Sequence, residues 1–536
     1  MHNVMISTLF RVFSILCLMQ PLLLGYNPLF AQSGLHIFDD TQLHEIRLSI
    51  AISFWQDTLY KDYIASNKDP ENIPEFYRKC EDVSIDGASI GPVGIKMKGN
   101  FSVIFNRAQQ RTKFPFKISF DAFFNQKYDG LRKINLNTNT NDPSFMREAM
   151  AYRLFRDADI AAPRTAFTKL YVNDEYMGLF SLVENVDKTF LKHNFGSDDD
   201  GNLYKGVTSD FTWNGFDKSA YKKELSLKTN ETEDDWTRLI VFFNLINNGS
   251  KQSIKDSLEQ VFELDQYLKI AAIERLVFSW DSYTGSGSNY YVYESENGKI
   301  RWIPWDYNET FQVANGKINP SFLVPRNDRP LLKSVFEDKE WRQQYMGIVC
   351  EMLENKMFSI EKMLPQIKIW YNLIDQAYKE EKNPLFDYSV FQQSLSQSTE
   401  EYFSRLQTGF QFKVITYNGF FPFVKERIKW AKEQLRLQRY NCAFEPISEA
   451  STSLLISPNP IRSGQKLRVE QRYTTQPTRS AITVFDVMGR VMEIPNWQFE
   501  KDGVQYIIVD QWPKGMYFLC KQEADGKIGV GRLVVE

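Results

Sequence analysis

The stretch 280–311, WDSYTGSGSNYYVYESENGKIRWIPWDYNETF, constrains the fold of this chain more than any other. Asp281 opens a polar, glycine-spaced loop that closes on Asn289, and two apolar runs follow, separated by an Asn-Gly turn. Apolar runs on either side of an Asn-Gly turn are typical of a β-hairpin. Asp306 comes directly after the second run, so we expect the hairpin to bring it close to Asn289, with Asp281 joining them through the loop.

A group made of an aspartate, an asparagine and a second aspartate suits one kind of chemistry. Side-chain oxygens of this type hold hard divalent metal ions. In protein kinases one aspartate accepts the substrate hydroxyl, while an asparagine and another aspartate hold magnesium. The alternative is that the three residues only cap turns at strand ends, which is the commoner use of Asp and Asn. The pattern alone leaves both readings open.

Charge and histidine content argue against several other classes of protein. The formal net charge is -3 and the isoelectric point is near 6.0, which gives no electrostatic basis for binding nucleic acid. None of the histidines accompanies a G-x-S-x-G motif, which disfavours a Ser-His-Asp hydrolase. Their scatter along the chain also predicts no zinc site. The four are His2, His36, His44 and His193.

The N-terminus is typical of a secretory signal peptide. Arg11 precedes an apolar run over residues 12–24, and a cleavage site of small and polar residues follows near Ala31. A permanent anchor needs about 20 consecutive apolar residues, and Gln20-Pro21 interrupt this run. We therefore predict a signal peptide over 1–32, export of the chain, and no transmembrane segment once the signal is removed.

Cysteine usage fits an exported protein without identifying the bonds. The chain beyond the predicted signal keeps Cys80, Cys350, Cys442 and Cys520, with no C-x-x-C pair among them. These residues allow one or two disulfides, and the sequence leaves their pairing open.

Three charged residues upstream of the hairpin fall on predicted strands, helices and turns. Lys117 lies on a predicted strand at 112–120, Glu148 lies on a helix that Asp142 would cap, and Glu184 directly follows a hairpin. Their ordinary uses are a solvated strand lysine, a surface ion pair and a solvated linker acid. The order of a glycine-bearing loop, strand lysine, helix glutamate, hairpin and two acidic loops is nevertheless that of the functional parts of a kinase.

The hydrophobic spacing changes toward the C-terminus. Residues 341–439 have mostly helical spacing, 442–455 form a linker containing Pro, Ser and Thr, and from 456 onward the apolar residues alternate with a period of two. Short alternating runs separated by turn residues predict a small all-β sandwich over 456–536. This segment contains no histidine and no acid cluster, so we assign it no catalysis.

The span 96–311, and more loosely the chain to 441, resembles the CotH kinase family of secreted or spore-coat kinase-like proteins. The matching pieces are KGNFS, KFPFKISF, the long stretch at 130–191, DGNLYK, WDSYTGSGSNYYVY and RWIPWDYNETF. The resemblance implies an α+β, atypical protein-kinase-like fold over 33–441, with its core at about 90–312, a β-rich N-lobe and a mostly helical C-lobe. It also implies transfer of phosphate from ATP, with Mg2+ or alternatively Mn2+, to serine or threonine hydroxyls.

The resemblance implies roles for the two acidic loops. Asp281 would be the catalytic acid/base, and Asn289 and Asp306 would be the metal ligands. Many family members have W-D-x-D at the second loop, whereas this chain has Asn308 at the last position. An amide there offers a carbonyl oxygen without charge, which weakens a metal site that uses it.

The resemblance also implies roles for the three upstream residues. Lys117 would contact the phosphates of the nucleotide, and Glu148 would form an ion pair with Lys117. Glu184 would lie where the linker between the lobes meets the nucleotide.

Residues 456–536 resemble the type A sorting domain of the type IX secretion system, through ISPNP, VFDVMGRV and KGMYFLC. Together with the signal peptide, this implies a protein of a Bacteroidota-type bacterium that the type IX machinery secretes or delivers to the outer cell surface. The expected substrate is then an exported or surface protein. The alternative function is a catalytically inactive, kinase-fold surface protein that acts in adhesion or matrix binding.

Overall fold

A computed structural model describes most of the chain. The described residues are 33–68, 76–206, 209–312, 324–325, 329–402, 414–440, 442, 454–471, 482–486, 491–492, 497–499, 505–509, 512–522 and 528–536. The predicted signal peptide and most of the predicted linker at 442–455 lie outside them. Among the helices of this described part, none has both the length and the apolar character needed to cross a membrane.

Seven strands near the start of the described chain close into a β-barrel. They are β1 (Leu43–Ser49), β2 (Arg78–Ile85), β3 (Ala88–Met97), β4 (Phe116–Ser119), β5 (Lys133–Asn137), β6 (Thr165–Val172) and β7 (Glu175–Glu184). Their order is β1-β2-β3-β4-β5-β7-β6, and the closing pair β1 and β6 is parallel. Because strand residues alternate between faces, apolar side chains such as Ile95, Ile118 and Leu136 fill the interior.

Three helices lie between the barrel strands in sequence, and the other nine of the described part follow the barrel. They are α1 (Trp55–Lys68), α2 (Phe101–Ala108), α3 (Arg147–Asp157), α4 (Lys188–Phe195), α5 (Thr237–Asn248), α6 (Lys251–Val261), α7 (Leu264–Leu276), α8 (Pro330–Phe336), α9 (Lys339–Glu354), α10 (Ile360–Lys379), α11 (Tyr388–Gln393) and α12 (Phe420–Leu437). A single large core joins α3 and the helices beyond the barrel to the outer side of β6 and β7.

A second sheet lies within the helical part. Its strands are β8 (Asn202–Gly206), β9 (Leu225–Leu227), β10 (Tyr290–Glu294) and β11 (Ile300–Pro304). They pair antiparallel in the order β11-β10-β8-β9. A separate two-stranded pair follows, formed by β12 (Thr399–Tyr402) and β13 (Val414–Tyr417).

The helix that carries Glu148 begins later than the sequence predicts. The pattern predicts a first helical residue at Pro143, whereas α3 begins at Arg147. The Asp142 carboxylate accepts the backbone N–H groups of Ser144 (2.9 Å) and Arg147 (2.8 Å). These local side-chain bonds hold a turn in place of the first helical turn.

The described part of the C-terminal segment consists of strands. They are β14 (Leu454–Ser457), β15 (Gln465–Gln471), β16 (Ile482–Asp486), β17 (Val491–Met492), β18 (Trp497–Phe499), β19 (Gln505–Val509), β20 (Gly515–Gln522) and β21 (Ile528–Val535). They form two four-stranded sheets, β14-β15-β19-β18 and β17-β16-β20-β21. Residues of both sheets, including Leu467, Ile507 and Leu519, share one core. The domain boundaries drawn from the sequence stay predictions.

One disulfide answers part of the question that cysteine spacing leaves open. Cys350 of α9 is bonded to Cys442, 92 residues along the chain, with their Cα atoms 5.6 Å apart. The bond ties the end of the helical part to α9. Cys80 is a free, buried thiol inside the barrel.

Candidate active site

The predicted hairpin is confirmed, and it places the two acidic loops at one end. Strands β10 and β11 pair antiparallel, with Tyr290 opposite Pro304 at the open end. Asn289 precedes this pair and Asp306 follows it, and both adopt left-handed backbone conformations, with φ of 60° and 62°. Asn and Asp tolerate this conformation better than most residues, so their positions suit the turns as well as any chemistry.

The first loop folds back so that Asp281 meets Asn289. The Asn289 amide donates to the Asp281 carboxylate at 2.9 Å and to its backbone carbonyl at 2.8 Å. The Ser286 hydroxyl donates to the other carboxylate oxygen at 2.9 Å. Burial raises the pKa of Asp281 above its ordinary value, and the charge of Asp306 adds to the rise, although the two hydrogen bonds oppose it. Asp281 and Asp306 therefore interact electrostatically within one site.

A buried carboxylate beneath the hairpin connects the two acidic loops. Glu274 of α7 accepts a hydrogen bond from the Thr284 hydroxyl of the first loop and another from the Tyr307 hydroxyl of the second, each at 2.6 Å. Its pKa is raised by burial, which these hydrogen bonds partly offset. The neighbours of Asp281 and Asp306 are thus attached to the same rigid helix, which fixes the spacing between the loops.

Glu148 and Lys98 lie opposite the second acidic loop. The Asn137 side chain at the end of β5 links them, donating to Glu148 at 2.8 Å and accepting from the Lys98 ammonium at 2.6 Å. Burial raises the pKa of Glu148 to about 7, and the charge of Asp306 contributes to that rise. Burial lowers the pKa of Lys98, while the charges of Asp306 and Glu148 oppose the change. Lys98 is therefore a lysine of this site that the sequence analysis missed.

Glu309 is a second missed residue. Its carboxylate accepts hydrogen bonds from the amides of Asn141 and Gln312. Burial raises its pKa to about 7, with a further contribution from the charge of Asp281. Glu309 lies three residues after Asp306 in the same loop, so its place in the motif was visible in the sequence. The direction in which the Glu309 side chain points was not visible there, because it depends on the turn at 139–142, which brings Asn141 to the carboxylate.

Lys117 and Glu184 both lie on strands of the barrel wall. Lys117 is opposite Asn135 on β5 and Lys96 on β3, with its neighbours Phe116 and Ile118 directed into the barrel. Because strand residues alternate, Lys117 faces outward, and it is half-buried. Its contact with phosphates and its pairing with Glu148 stay predictions.

Glu184 has a strong partner of its own. Its carboxylate accepts from the guanidinium of Arg164 at 2.5 and 2.9 Å and from the Arg164 backbone N–H at 3.1 Å. Strand register places Glu184 opposite Ile134, three residues along β5 from Asn137. At about 3.4 Å per residue this is roughly 10 Å from the Glu148 contact. The proposed role of Glu184 at the nucleotide stays a prediction.

The donor atoms of this site fit a hard divalent cation. Asp281, Asn289, Asp306, Glu148 and Glu309 supply carboxylate and amide oxygens, which are the ligands that Mg2+ prefers. Burial raises the pKa values of three of these acids, and the charge of a neighbouring acid adds to each rise, so ionising the acids together is unfavourable without a counter-charge. A bound cation would relieve that repulsion.

The Glu309→Gln variant should be stabilised relative to wild type as pH rises. Folded Glu309 has a pKa of about 7, above the value of about 4.3 in an unfolded chain. Between these values the folded state keeps a proton that the unfolded state has lost, so this group lowers the free energy of unfolding as pH increases. The Glu309→Gln variant has no carboxyl group at this position, so it lacks this loss of stability with rising pH.

Denaturant unfolding in EDTA at pH 4.5 and pH 7.5 measures the difference. We expect the free energy of unfolding of the variant minus that of wild type to increase by about 1–3 kcal/mol between these pH values. A constant offset from altered hydrogen bonds cancels in this comparison. A difference that is equal at both pH values would show that Glu309 titrates normally.

Two models of known protein families match this chain. The model of the CotH kinase protein family matches residues 95–408, and that of the secretion system C-terminal sorting domain matches residues 455–536. The sorting domain indicates secretion through the type IX system to the cell surface or the extracellular space. The aligned region of the CotH family contains all of the candidate residues.

Several curated relatives show how distant the similarity is. The inner spore coat protein H of Bacillus subtilis is 27% identical over 47% of this chain and 71% of its own length. A second Bacillus subtilis relative, an inner spore coat protein H-like protein, is 23% identical over 52% of this chain and 78% of its own length. Invasin CotH7 of Rhizopus delemar is 25% identical over 35% of this chain, and the match spans 32% of that invasin.

A solved structure titled titin kinase and its flanking domains aligns over 79% of this chain and 72% of its own, at 10% identity with a TM-score of 0.16, too low to bear on the fold. The family model, by contrast, covers more than half of the 536 residues. This chain belongs to the CotH kinase protein family and carries a C-terminal secretion-system sorting domain.

Proposed function

We propose that this protein is a secreted atypical protein kinase that transfers the γ-phosphate of ATP to serine or threonine hydroxyls of exported or surface proteins. In this proposal the barrel is the N-lobe and the helical part is the C-lobe. The main observation in support of this proposal is that Asp281, Asn289 and Asp306 converge at one end of a hairpin. Glu148 and Lys98 face them from the barrel side.

Asp281 is the group that orients the substrate hydroxyl and accepts its proton. Its raised pKa makes it a better base than an ordinary solvated aspartate. The Asn289 amide fixes the direction of its carboxylate. Glu274 holds both acidic loops, so the distance between base and metal ligands is set before the substrate binds.

Asn289 and Asp306 would hold Mg2+, with Mn2+ as an alternative, and Lys98 and Lys117 would contact the phosphates. The metal ion, when bound, neutralises the negative charge of the phosphates. The acid cluster fits this role because its carboxylates repel one another without a cation.

A second candidate function is adhesion by a protein that has kept the fold without the chemistry. Two observations favour it: Asn308 replaces the acid of the usual W-D-x-D motif, and several relatives are named invasins. ATP is also scarce outside cells. The two functions differ in whether a nucleotide binds at Asp306.

Thermal unfolding of the mature chain with ATP and excess Mg2+ tests the kinase proposal. We expect ATP at about 100 times its Kd to raise the Tm of wild type by about 2–5 °C, because a ligand that binds the folded state stabilises it. The Asp306→Ala variant should lose this shift. Asp265→Ala, at an exposed position in the first turn of α7, should keep it.

Either outcome decides between the two functions. A metal-dependent shift that Asp306→Ala abolishes places the nucleotide at the hairpin. The absence of a shift in wild type with both Mg2+ and Mn2+ would contradict the kinase proposal and leave adhesion as the better explanation.

A further inference from the structure

Two histidines converge on one carboxylate at an end of the barrel. The Nδ1 atom of His44 is 2.8 Å from Oδ2 of Asp86, and the Nε2 atom of His36 is 3.0 Å from the same oxygen. The three potential ligand atoms lie within 4.8 Å of one another. His36 and His44 are two of the four histidines of the whole chain. Their convergence is unexpected from their number and scatter.

Backbone hydrogen bonds position these groups independently. His44 lies on β1, while Asp86 lies in the turn between β2 and β3, where its second oxygen accepts the Glu45 backbone N–H at 2.8 Å. The His36 backbone N–H donates to the carboxylate of Asp129 at 2.7 Å, and the Gly34 N–H donates to the Asp129 backbone carbonyl, so the segment 33–38 is held against a different turn, at 128–131. Three separate segments are therefore fixed so that one side chain from each meets the others.

The three donors form a ligand set for a transition-metal ion. Imidazole nitrogen and carboxylate oxygen bind zinc at about 2.0–2.2 Å, which places neighbouring ligands of a tetrahedral ion about 3.3 Å apart. The two spacings to Asp86, 2.8 and 3.0 Å, need to widen by a few tenths of an ångström, and the two imidazole nitrogens lie within 4.8 Å of each other. The side chain of His36 is 48% exposed and that of Asp86 is 27% exposed, so the position is open to solvent.

Charge around the cluster also favours a cation. The negative charge of Asp39 acts on both imidazoles, and the Asp129 carboxylate lies at the backbone of His36.

We propose that His36, His44 and Asp86 form a zinc site with water in the fourth position. The site is separate from the proposed kinase centre, and its role is structural: it fastens the first described segment of the chain, 33–38, to the barrel. The alternative is a hydrogen-bonded His-Asp-His cluster that binds no metal.

Zinc binding to the metal-free mature chain tests the proposal. Because the acid cluster can also take a divalent ion, the titration with zinc sulfate alone is done in the Asp306→Ala background, by calorimetry. We expect one zinc ion per chain. His36→Ala should weaken that binding by at least about tenfold, the range seen when groups of a metal site are removed. His193→Ala, at a partly buried histidine on α4, is the matched control and should leave it unchanged.

Two further readouts separate loss of binding from loss of folding. His36 is exposed, so His36→Ala should unfold at the same temperature as its parent without metal. Asp86→Asn should also weaken zinc binding, because Asn tolerates the left-handed φ of 51° there but carries no charge. Cobalt should give visible absorption bands of a tetrahedral nitrogen-containing site. No zinc binding, or equal binding after His36→Ala, would overturn the proposal.

Discussion

Replacing Asp281 by Asn should lower the rate of phosphate transfer to serine by about 10²–10⁴-fold, the usual contribution of a positioned general base. The amide has nearly the same shape as the carboxylate, so it can still accept from Ser286 and occupy the same space beside Asn289. It cannot accept the proton of the substrate hydroxyl. The loss should therefore appear in kcat, while the KM for ATP changes little.

Phosphoserine formation on a mixture of exported proteins, followed by mass spectrometry, measures this effect. Asp265→Asn serves as the matched control, since that exposed aspartate lies on α7 and contacts neither acidic loop through a hydrogen bond. The free energy of unfolding of Asp281→Asn should stay within about 1 kcal/mol of wild type, because a partly exposed acid adds little stability. Full activity in Asp281→Asn would show that another group is the base.

Replacing Lys113 by Met should destabilise the protein by about 3–5 kcal/mol, the cost of leaving one member of a buried ion pair unpaired. The Lys113 ammonium lies 2.8 and 3.0 Å from the two carboxylate oxygens of Glu381, and their side chains are only 1% and 2% exposed. The ammonium also lies over the rings of Phe145 (4.8 Å) and Phe180 (5.2 Å). Glu381 further accepts the backbone N–H of Leu179 on β7.

The pair joins the barrel region to the segment that directly follows α10, so its loss should loosen the contact between them. Denaturant unfolding of Lys113→Met, Glu381→Gln and the double variant forms a cycle. The double variant should be more stable than the sum of the single losses predicts, because no charge remains unpaired. Lys79→Met at the exposed Lys79–Glu81 pair is the control, with an expected loss below about 1 kcal/mol. Additive losses in the cycle would mean that the pair does not act as a unit.

The central hairpin could be predicted because the information for it is local. An Asn-Gly turn between two apolar runs sets the register of β10 and β11. That register alone places Asn289 and Asp306 at the same end. The loop is short enough to place Asp281 beside Asn289. The hydrogen bond of 2.9 Å from the Asn289 amide to the Asp281 carboxylate confirms this placement.

The rest of the candidate site could be predicted only in part. Glu148 lies on a helix as expected, yet it is a buried member of the site because Asn137 and α3 hold it there. Lys98 and Glu309 lie within the motif pieces KGNFS and WDYNETF, but single residues in loops have no periodicity to show where they point. Their directions depend on Asn137 and Asn141, which come from other segments.

Sequence patterns were sufficient for the hairpin, whose hydrogen bonds close within a few residues, and for its acidic ends. Alternation also indicated the strands at the C-terminus, although the partners of those strands come from distant residues, as in the pairing of β15 with β19. The tertiary structure alone decided the pairs that are distant along the chain. These are Lys113 with Glu381, 268 residues apart, Cys350 with Cys442, 92 apart, and His44 with Asp86, 42 apart. The physical reason is that each contact depends on the packing that brings its two partners together, and neither that packing nor the burial and charge that result from it leave a period in the sequence.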